Sequence, residues 1–154
     1  GCVKLFAELV IKTGCYIVMS STWRKHPQFM DYLLASFRML NIEDKLIGKT
    51  NVIGDFERVS EIQQWIRRFE KKHFPLDGWC AIDDMDLVAQ DTTPTKAMNG
   101  HFVLTTMRDG LTRNSMKMTE NLIMNRPTKV TVSNNRTQRR SWTEFLFREV
   151  IGIN

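Results

Sequence analysis

The sequence has no apolar run that approaches the length of roughly 20 residues needed to cross a bilayer. It also shows none of the basic start, apolar segment and small-residue cleavage pattern of a secretory signal. Cysteine is scarce: the chain has only Cys2, Cys15 and Cys80. Three is an odd number, and the spacing Cys-x-x-Cys does not occur. We therefore expect neither a membrane protein nor a disulfide scaffold. The same absences predict an intracellular, reducing compartment, without separating the cytoplasm from an organelle.

The chain has 154 residues, of which 42% are hydrophobic, and this suits one domain with a buried core. Helical spacing of apolar residues alternates with short apolar runs that are typical of buried strands. The predicted helices cover residues 2–13, 27–40, 59–73 and 113–124, and the predicted strands cover 15–20, 46–48, 79–83 and 101–105. This alternation predicts an α/β fold with a parallel sheet.

Two adjacent carboxylates, Asp83 and Asp84, stand at the end of the apolar run Trp79-Cys80-Ala81-Ile82. Neighbouring Asp side chains repel each other, so a strand end that carries both favours a nearby cation. Mg2+ suits such a place, because it binds through one or two carboxylates together with water and substrate phosphate. A polar turn that closes the strand is the alternative interpretation.

A second polar cluster, Ser20-Ser21-Thr22, follows the predicted strand at 15–20. Ligands of parallel α/β sheets bind in the crevice at the carboxyl ends of the strands. Hydroxyl groups at such an end can donate to a phosphate oxygen, while the carboxylates hold the metal that neutralises it. The triplet can equally cap the next helix, and one site can serve both purposes.

Four short motifs follow one another within residues 2–124. They are Ile17-Val18-Met19-Ser20-Ser21-Thr22-Trp23-Arg24, Arg58-Val59-Ser60-Glu61-Ile62, Ala81-Ile82-Asp83-Asp84, and His101-Phe102-Val103-Leu104-Thr105 with Gly110-Leu111-Thr112. In this order they resemble the haloacid dehalogenase-like (HAD) phosphohydrolases, and most of all the HAD domain of Swiss Army Knife RNA repair proteins. The resemblance implies a three-layer Rossmann-like parallel sheet and an Mg2+-dependent reaction on a phosphate ester. An ester linked to nucleic acid is one candidate substrate.

The resemblance also implies roles for individual residues. Ser20 would hold a phosphate oxygen, Arg58 would balance the charge of the phosphoryl group, and Asp83 with Asp84 would hold Mg2+. A cation at the start of a helix is unfavourable near the positive pole, and this supports a ligand-side role for Arg58. Lys49 is the alternative candidate for the same role.

The remaining substrate-binding candidates are Ser21, Trp23 and Arg24, with Lys49. The guanidinium fork of Arg24 can clamp a phosphate and the ring of Trp23 can stack on a base. An equally good interpretation has Trp23 packing the loop and Arg24 in a surface ion pair.

The chain departs from the family pattern at one point. HAD phosphohydrolases carry an Asp-x-Asp motif on a first strand, whose first Asp is the nucleophile and whose second is the general acid/base, but no Asp precedes Ser20 here. Asp84-Met85-Asp86 has this spacing, yet no adjacent Asp pair would then remain for the metal. We therefore expect a phosphohydrolase-type domain that is incomplete or inactive. The alternative is a catalytically degenerate scaffold or an RNA-associated subunit of a larger assembly.

The missing first strand lies, in the resembled fold, between the serine strand and the Asp-Asp strand. Both neighbours would lose their backbone partners without it, and buried unpaired backbone groups are costly. We therefore expect the slot to be filled by a further N-terminal segment, by a partner chain or by residues 129–133.

The character of the chain changes after residue 125. We predict a HAD-like α/β core at residues 1–125 and a basic C-terminal extension at 126–154, with a short strand at 129–132 and a terminal helix at 141–150. Residues 111–154 carry a net charge of +5, equal to that of the whole chain. Arg136, Arg139 and Arg140 form a basic cluster that can contact RNA or a protein partner. A solvated surface loop is the commoner explanation of such a cluster.

Overall fold

The computed structural model describes residues 1–76, 78–124 and 145–148. Its helices and strands alternate along the chain, which confirms the predicted α/β class. They are α1 (Cys2–Thr13), β1 (Tyr16–Met19), α2 (Pro27–Met39), β2 (Leu46–Lys49), α3 (Arg58–Lys72), β3 (Trp79–Asp83), α4 (Leu87–Gln90), β4 (Phe102–Leu104), α5 (Arg113–Met124) and β5 (Phe145–Arg148). Single 3-10 turns occupy Thr22–Lys25 and Glu43–Lys45. Within these ranges, no helix combines the length and the apolar character that a membrane crossing requires.

The five strands form one sheet in the order β2-β1-β5-β3-β4. Every neighbouring pair is parallel, as predicted from the alternation of helices and strands. The carboxyl ends of all strands therefore meet at the same edge of the sheet. Ser20 follows β1 and Asp83 ends β3, so both polar clusters lie at this edge.

The central position of the sheet is held by β5, between β1 and β3. Arg148 pairs with Met19 on one side and with Ile82 on the other. The prediction that this slot is filled is confirmed, but the occupant is a C-terminal strand and none of the three expected candidates.

The predicted terminal helix is wrong for Phe145–Arg148, which forms a strand. A run of only three apolar residues, Phe145-Leu146-Phe147, cannot be assigned to a helix or a strand by periodicity alone. The rest of that predicted helix lies outside the described residues, as do the predicted strand at 129–132 and the basic cluster Arg136, Arg139 and Arg140. The boundary after residue 125 stays a prediction.

Alternate residues of β1 and β3 belong to two different apolar clusters. Ile17, Met19, Cys80 and Ile82 pack in the cluster that includes α1, α2 and α5. Val18 and Ala81 pack instead in the cluster that includes α3. Because successive side chains of a strand point to opposite faces, the sheet has apolar packing on both faces.

The loop before α5 approaches the start of α1 closely at one glycine. Gly110 has a φ of 57°, in the left-handed region that favours glycine. A Cβ on Gly110 would lie 2.7 Å from Cys2 Sγ. Cys2 Sγ also lies 3.4 Å from the carbonyl oxygen of Asp109. Glycine is therefore required at this position by both conformation and space.

Candidate active site

Two buried polar residues lie on either side of the end of the central strand. Ser20 and Asp83 are each only 1% exposed. They follow Met19 and Ile82, which pair with the two sides of Arg148. Since parallel strands are about 4.8 Å apart, the backbones of Ser20 and Asp83 are separated by two such spacings, roughly 10 Å. The end of β5, at Arg148, lies between the two strands that carry them.

The serine loop after β1 is held by its own side chains. Ser21 Oγ accepts a hydrogen bond of 3.2 Å from the backbone N–H of Trp23, so Ser21 caps the 3-10 turn. Arg24 Nη1 donates to the carbonyl oxygens of Ser20 and, at 2.7 Å, of Ser21. Arg24 Nε donates to the carbonyl oxygen of Thr50 at 3.2 Å. The capping interpretation is therefore confirmed for Ser21, and Arg24 fixes the loop against the end of β2.

Four buried charges connect the serine loop to β3. Arg24 Nη2 donates to Glu61 Oε2, and this oxygen lies 3.7 Å from Arg58 Nε. Arg58 Nη1 in turn donates to Asp83 Oδ2 at 3.1 Å. We call this chain of Arg24, Glu61, Arg58 and Asp83 the buried ion network. Its charges alternate in sign and sum to zero, and this offsets part of the cost of removing each charge from water.

The two Asp residues at the end of β3 have different surroundings. Asp83 Oδ1 accepts from the backbone N–H of Met85 at 2.9 Å, and Oδ2 accepts from Arg58. Asp84 is half-buried at the same strand end. The described residues contain no group of three or more His, Cys, Asp or Glu placed to hold a metal ion. Mg2+ keeps several waters and needs only one or two carboxylates, so an adjacent pair still fits it chemically.

The other predicted substrate residues lie on the β1 and β2 side of the sheet edge. Lys49 is exposed, ends β2 and pairs with Met19. Trp23 is half-buried, with its ring centroid 5.2 Å from that of Phe29. Arg24 is buried instead of exposed, so its ion pair with Glu61 is not the surface pair considered from the sequence. Substrate contact by Trp23, Arg24 and Lys49 stays a prediction.

Two residues of this region were not selected from the sequence. Glu61 joins Arg24 to Arg58, and its Oε1 also accepts from the backbone N–H of Ile53 at 3.1 Å. The spacing of three residues between Arg58 and Glu61 on one helix face was a usable signal for this pair. Thr50 is buried, and its hydroxyl has no hydrogen-bond partner within the described part of the chain. No sequence signal pointed to Thr50.

A further buried carboxylate, Asp91, lies outside the site and organises the segment after α4. Its Oδ1 accepts from the backbone N–H of Thr93 and its Oδ2 from that of Met98, each at 2.9 Å. Burial raises the pKa of Asp91, but hydrogen bonds from Thr93 and Met98 and the charge of Lys96 together lower the pKa below its ordinary value of 3.8. The ionised form of Asp91 is therefore the form that holds this segment.

Residues 1–116 match the family described as the HAD domain in Swiss Army Knife RNA repair proteins. The match includes the serine loop, Arg58, Glu61 and the two Asp residues at the end of β3. Comparisons with curated proteins and with solved structures found no match.

Proposed function

Because the chain belongs to the family of HAD domains found in Swiss Army Knife RNA repair proteins, we propose that it binds the phosphate group of a phosphate ester together with Mg2+. HAD-type phosphohydrolase chemistry is the lineage of the family. The phosphate would lie at the carboxyl ends of β1 and β3, where parallel α/β sheets bind ligands. We also infer a three-layer arrangement, supported by the apolar packing on both faces of the sheet.

The observation that carries this proposal is the placement of Ser20 and Asp83 on either side of the central strand. A hydroxyl donor and a carboxylate with its own guanidinium partner lie there, both buried, at the ends of the two strands that flank β5. Hydrogen bonds and charges are stronger in such a setting than in water. Hydroxyl donors and guanidinium groups of this kind stabilise the charge on a transferring phosphoryl group.

Each residue has a distinct part in the proposed site. Ser20 would donate to a phosphate oxygen, and Arg58 would share its five guanidinium donors between Asp83 and the phosphate. Asp83 and Asp84 would supply the carboxylates for Mg2+, because this ion needs only one or two of them. Mg2+, when bound, would neutralise negative charge on the phosphoryl oxygens.

Phosphate binding can be tested by calorimetric titration of inorganic phosphate in the presence of Mg2+. We expect Ser20→Ala to weaken binding roughly tenfold or more, since a hydrogen bond to a charged group contributes about 1.5–3 kcal/mol. Ser36→Ala is the matched control, because Ser36 bonds only locally to the Tyr32 carbonyl among the contacts described for it. Equal affinities of the Ser20→Ala and wild-type proteins would contradict the proposed site.

A second function, that of a non-catalytic scaffold, is favoured by one specific observation. In the buried ion network, both guanidinium groups are already neutralised by protein carboxylates. Such a network could have a purely structural role, in which it holds the serine loop, α3 and β3 together without binding a ligand. If the folded protein binds neither phosphate nor Mg2+, that result supports the scaffold function. It would also contradict the proposal that this chain binds a phosphate ester.

A further inference from the structure

The segment 51–57 begins and ends at the proposed site. It leaves the sheet after Thr50, whose backbone N–H donates to the Met19 carbonyl at 2.9 Å, directly before Ser20. It ends where Arg58 begins α3. We call this segment the rim loop. Its position follows from these two ends and does not depend on any ligand.

The base of the rim loop is fixed to α3. Ile53 donates its backbone N–H to Glu61 Oε1 at 3.1 Å. With its amide oxygen directed at Arg68, Asn51 accepts hydrogen bonds from Arg68 Nη1 at 3.0 Å and from Nη2 at 3.3 Å. Glu61 belongs to the buried ion network, so the loop backbone is bonded to a residue that also contacts Arg58. A loop held in this way can present its side chains in a defined direction.

The side chains that the rim loop presents are apolar and exposed. Val52 is 49% exposed, Ile53 48% and Phe56 84%. Phe56 also has a φ of 61°, which is uncommon for a bulky residue and is concentrated at functional positions. Three such residues at a polar ligand site form an apolar border on one side of the site.

We propose that the rim loop binds a flat, uncharged aromatic group of the ester whose phosphate lies at Ser20 and Arg58. This proposal rests on the proposed phosphate site. Phe56 precedes Arg58 by two residues, so their Cα atoms are at most about 7 Å apart. The start of α3 therefore joins the residue that would hold the phosphate to the residue that carries the exposed ring.

The charge of the rim loop favours this occupant over a polyanion. The loop contains Asp55 and Glu57 and no basic residue. Its carboxylates would repel the further phosphates of a nucleic-acid strand. An uncharged ring suffers no such repulsion, and paired aromatic rings attract each other beyond the effect of the area they bury.

The test compares phenylphosphonate with methylphosphonate by calorimetric titration of the full chain in Mg2+. We expect the wild-type protein to bind phenylphosphonate about tenfold more tightly than methylphosphonate, which corresponds to a difference of about 1.4 kcal/mol in binding free energy. Phe56→Ala should remove this preference and leave the affinity for methylphosphonate unchanged, while Phe56→Tyr should keep it. Met39→Ala is the matched control, since Met39 is also 84% exposed but lies at the end of α2.

Each outcome decides between stated alternatives. Binding of both phosphonates with equal affinity by the wild-type protein would overturn the role of the rim loop and leave the phosphate site standing. Binding of neither would overturn both proposals. Loss of a dimer in Phe56→Ala, seen by sedimentation, would assign the loop to contact with a second copy. Loss of affinity for a single-stranded oligonucleotide in Phe56→Ala, with phenylphosphonate binding unchanged, would assign the rim loop to contact with RNA.

Discussion

Arg58 and Asp83 are joined by a hydrogen bond of 3.1 Å between Nη1 and Oδ2, although 25 residues separate them in the chain. The bond links the first residue of α3 to the last residue of β3. The candidate for balancing phosphate charge and a candidate for holding Mg2+ therefore neutralise each other in this arrangement. Ligand binding at the site has to compete with, or share, this ion pair.

Mg2+ affinity should depend on Asp84, because this half-buried carboxylate stands beside Asp83 at the end of β3. We expect Asp84→Asn to lower the affinity for Mg2+ in the presence of phosphate, by at least about tenfold. Calorimetric titration with Mg2+ measures this. Asp86→Asn is the control, since Asp86 caps α4 from the same turn and Asn caps helices equally well. Unchanged binding by Asp84→Asn would remove this residue from the metal site.

Glu61 should be a principal stabilising residue of the site, since it lies between two guanidinium groups. Glu61→Gln keeps an acceptor for Ile53 but leaves Arg24 and Arg58 without this counter-charge. Breaking one partner of a buried pair costs about 3–5 kcal/mol, so we expect a loss of about 3 kcal/mol in the free energy of unfolding, measured with urea.

The control for Glu61 is Glu43→Gln, which breaks the exposed pair between Glu43 and Arg38. Exposed pairs contribute less than about 1 kcal/mol, so this variant should unfold near the wild-type midpoint. Similar losses in the two variants would show that burial of the ion network adds nothing to its strength.

Asp91 should make stability depend on pH in the acid range. Its pKa in the folded protein lies below 3.8, so the ionised carboxylate favours folding. This contribution is fully present above the unfolded pKa and is lost as pH falls through the folded pKa. We expect Asp91→Asn to lower the free energy of unfolding at pH 7 by about 1–3 kcal/mol, because a buried N–H loses its acceptor.

The difference between wild type and Asp91→Asn should then shrink as the pH falls below about 4. Urea unfolding at a series of pH values measures it. Asp31→Asn, at an exposed position of α2, controls for the loss of a carboxylate in general. A difference that stays constant down to pH 2 would contradict the role given to the Asp91 carboxylate.

Gly110→Ala should destabilise the protein more than Gly100→Ala. Both glycines have positive φ, but an added Cβ would have nothing within 4 Å at Gly100 and would lie 2.7 Å from Cys2 Sγ at Gly110. The left-handed conformation alone costs roughly 1–2 kcal/mol in each case. Thermal unfolding of both variants measures the excess, and Cys2→Ala should relieve it. An excess that persists without the Cys2 sulfur would place the strain elsewhere.

The chain should show little or no Mg2+-dependent hydrolysis of 4-nitrophenyl phosphate. The family mechanism forms a bond between an Asp and phosphorus, yet no Asp precedes Ser20 and the central strand has the sequence Phe-Leu-Phe-Arg. Release of 4-nitrophenolate measures turnover. Robust turnover that is lost in Ser20→Ala would contradict this expectation. Testing Glu149→Gln would then show whether the carboxylate that follows β5 in the sequence takes part.

Local sequence patterns were sufficient for most helices and for the flanking strands. The helix α1 was predicted at residues 2–13 and is observed at Cys2–Thr13, because apolar spacing and the terminal Gly14 are local signals. The strand before Asp83 was predicted at 79–83 and is observed at Trp79–Asp83. Four motifs in order were also enough for the family, although each one is short.

Three features were decided only by the tertiary structure. Phe145–Arg148 becomes the central strand because two distant strands, β1 and β3, offer it backbone partners on both sides. Arg24 is buried because the carbonyls of its own loop and the carboxylate of Glu61 surround it. Arg58 is paired with Asp83 because the sheet brings the ends of α3 and β3 together.

The sequence by itself thus determined which residue types stand at each strand end, and hence the class of ligand that they favour. It did not determine which of these charges contact each other. A local pattern records hydrogen bonding and packing within one helix or strand, whereas the order of strands and the pairing of buried charges depend on contacts between residues far apart in the chain. Only the folded sheet brings those residues within a few ångströms of each other.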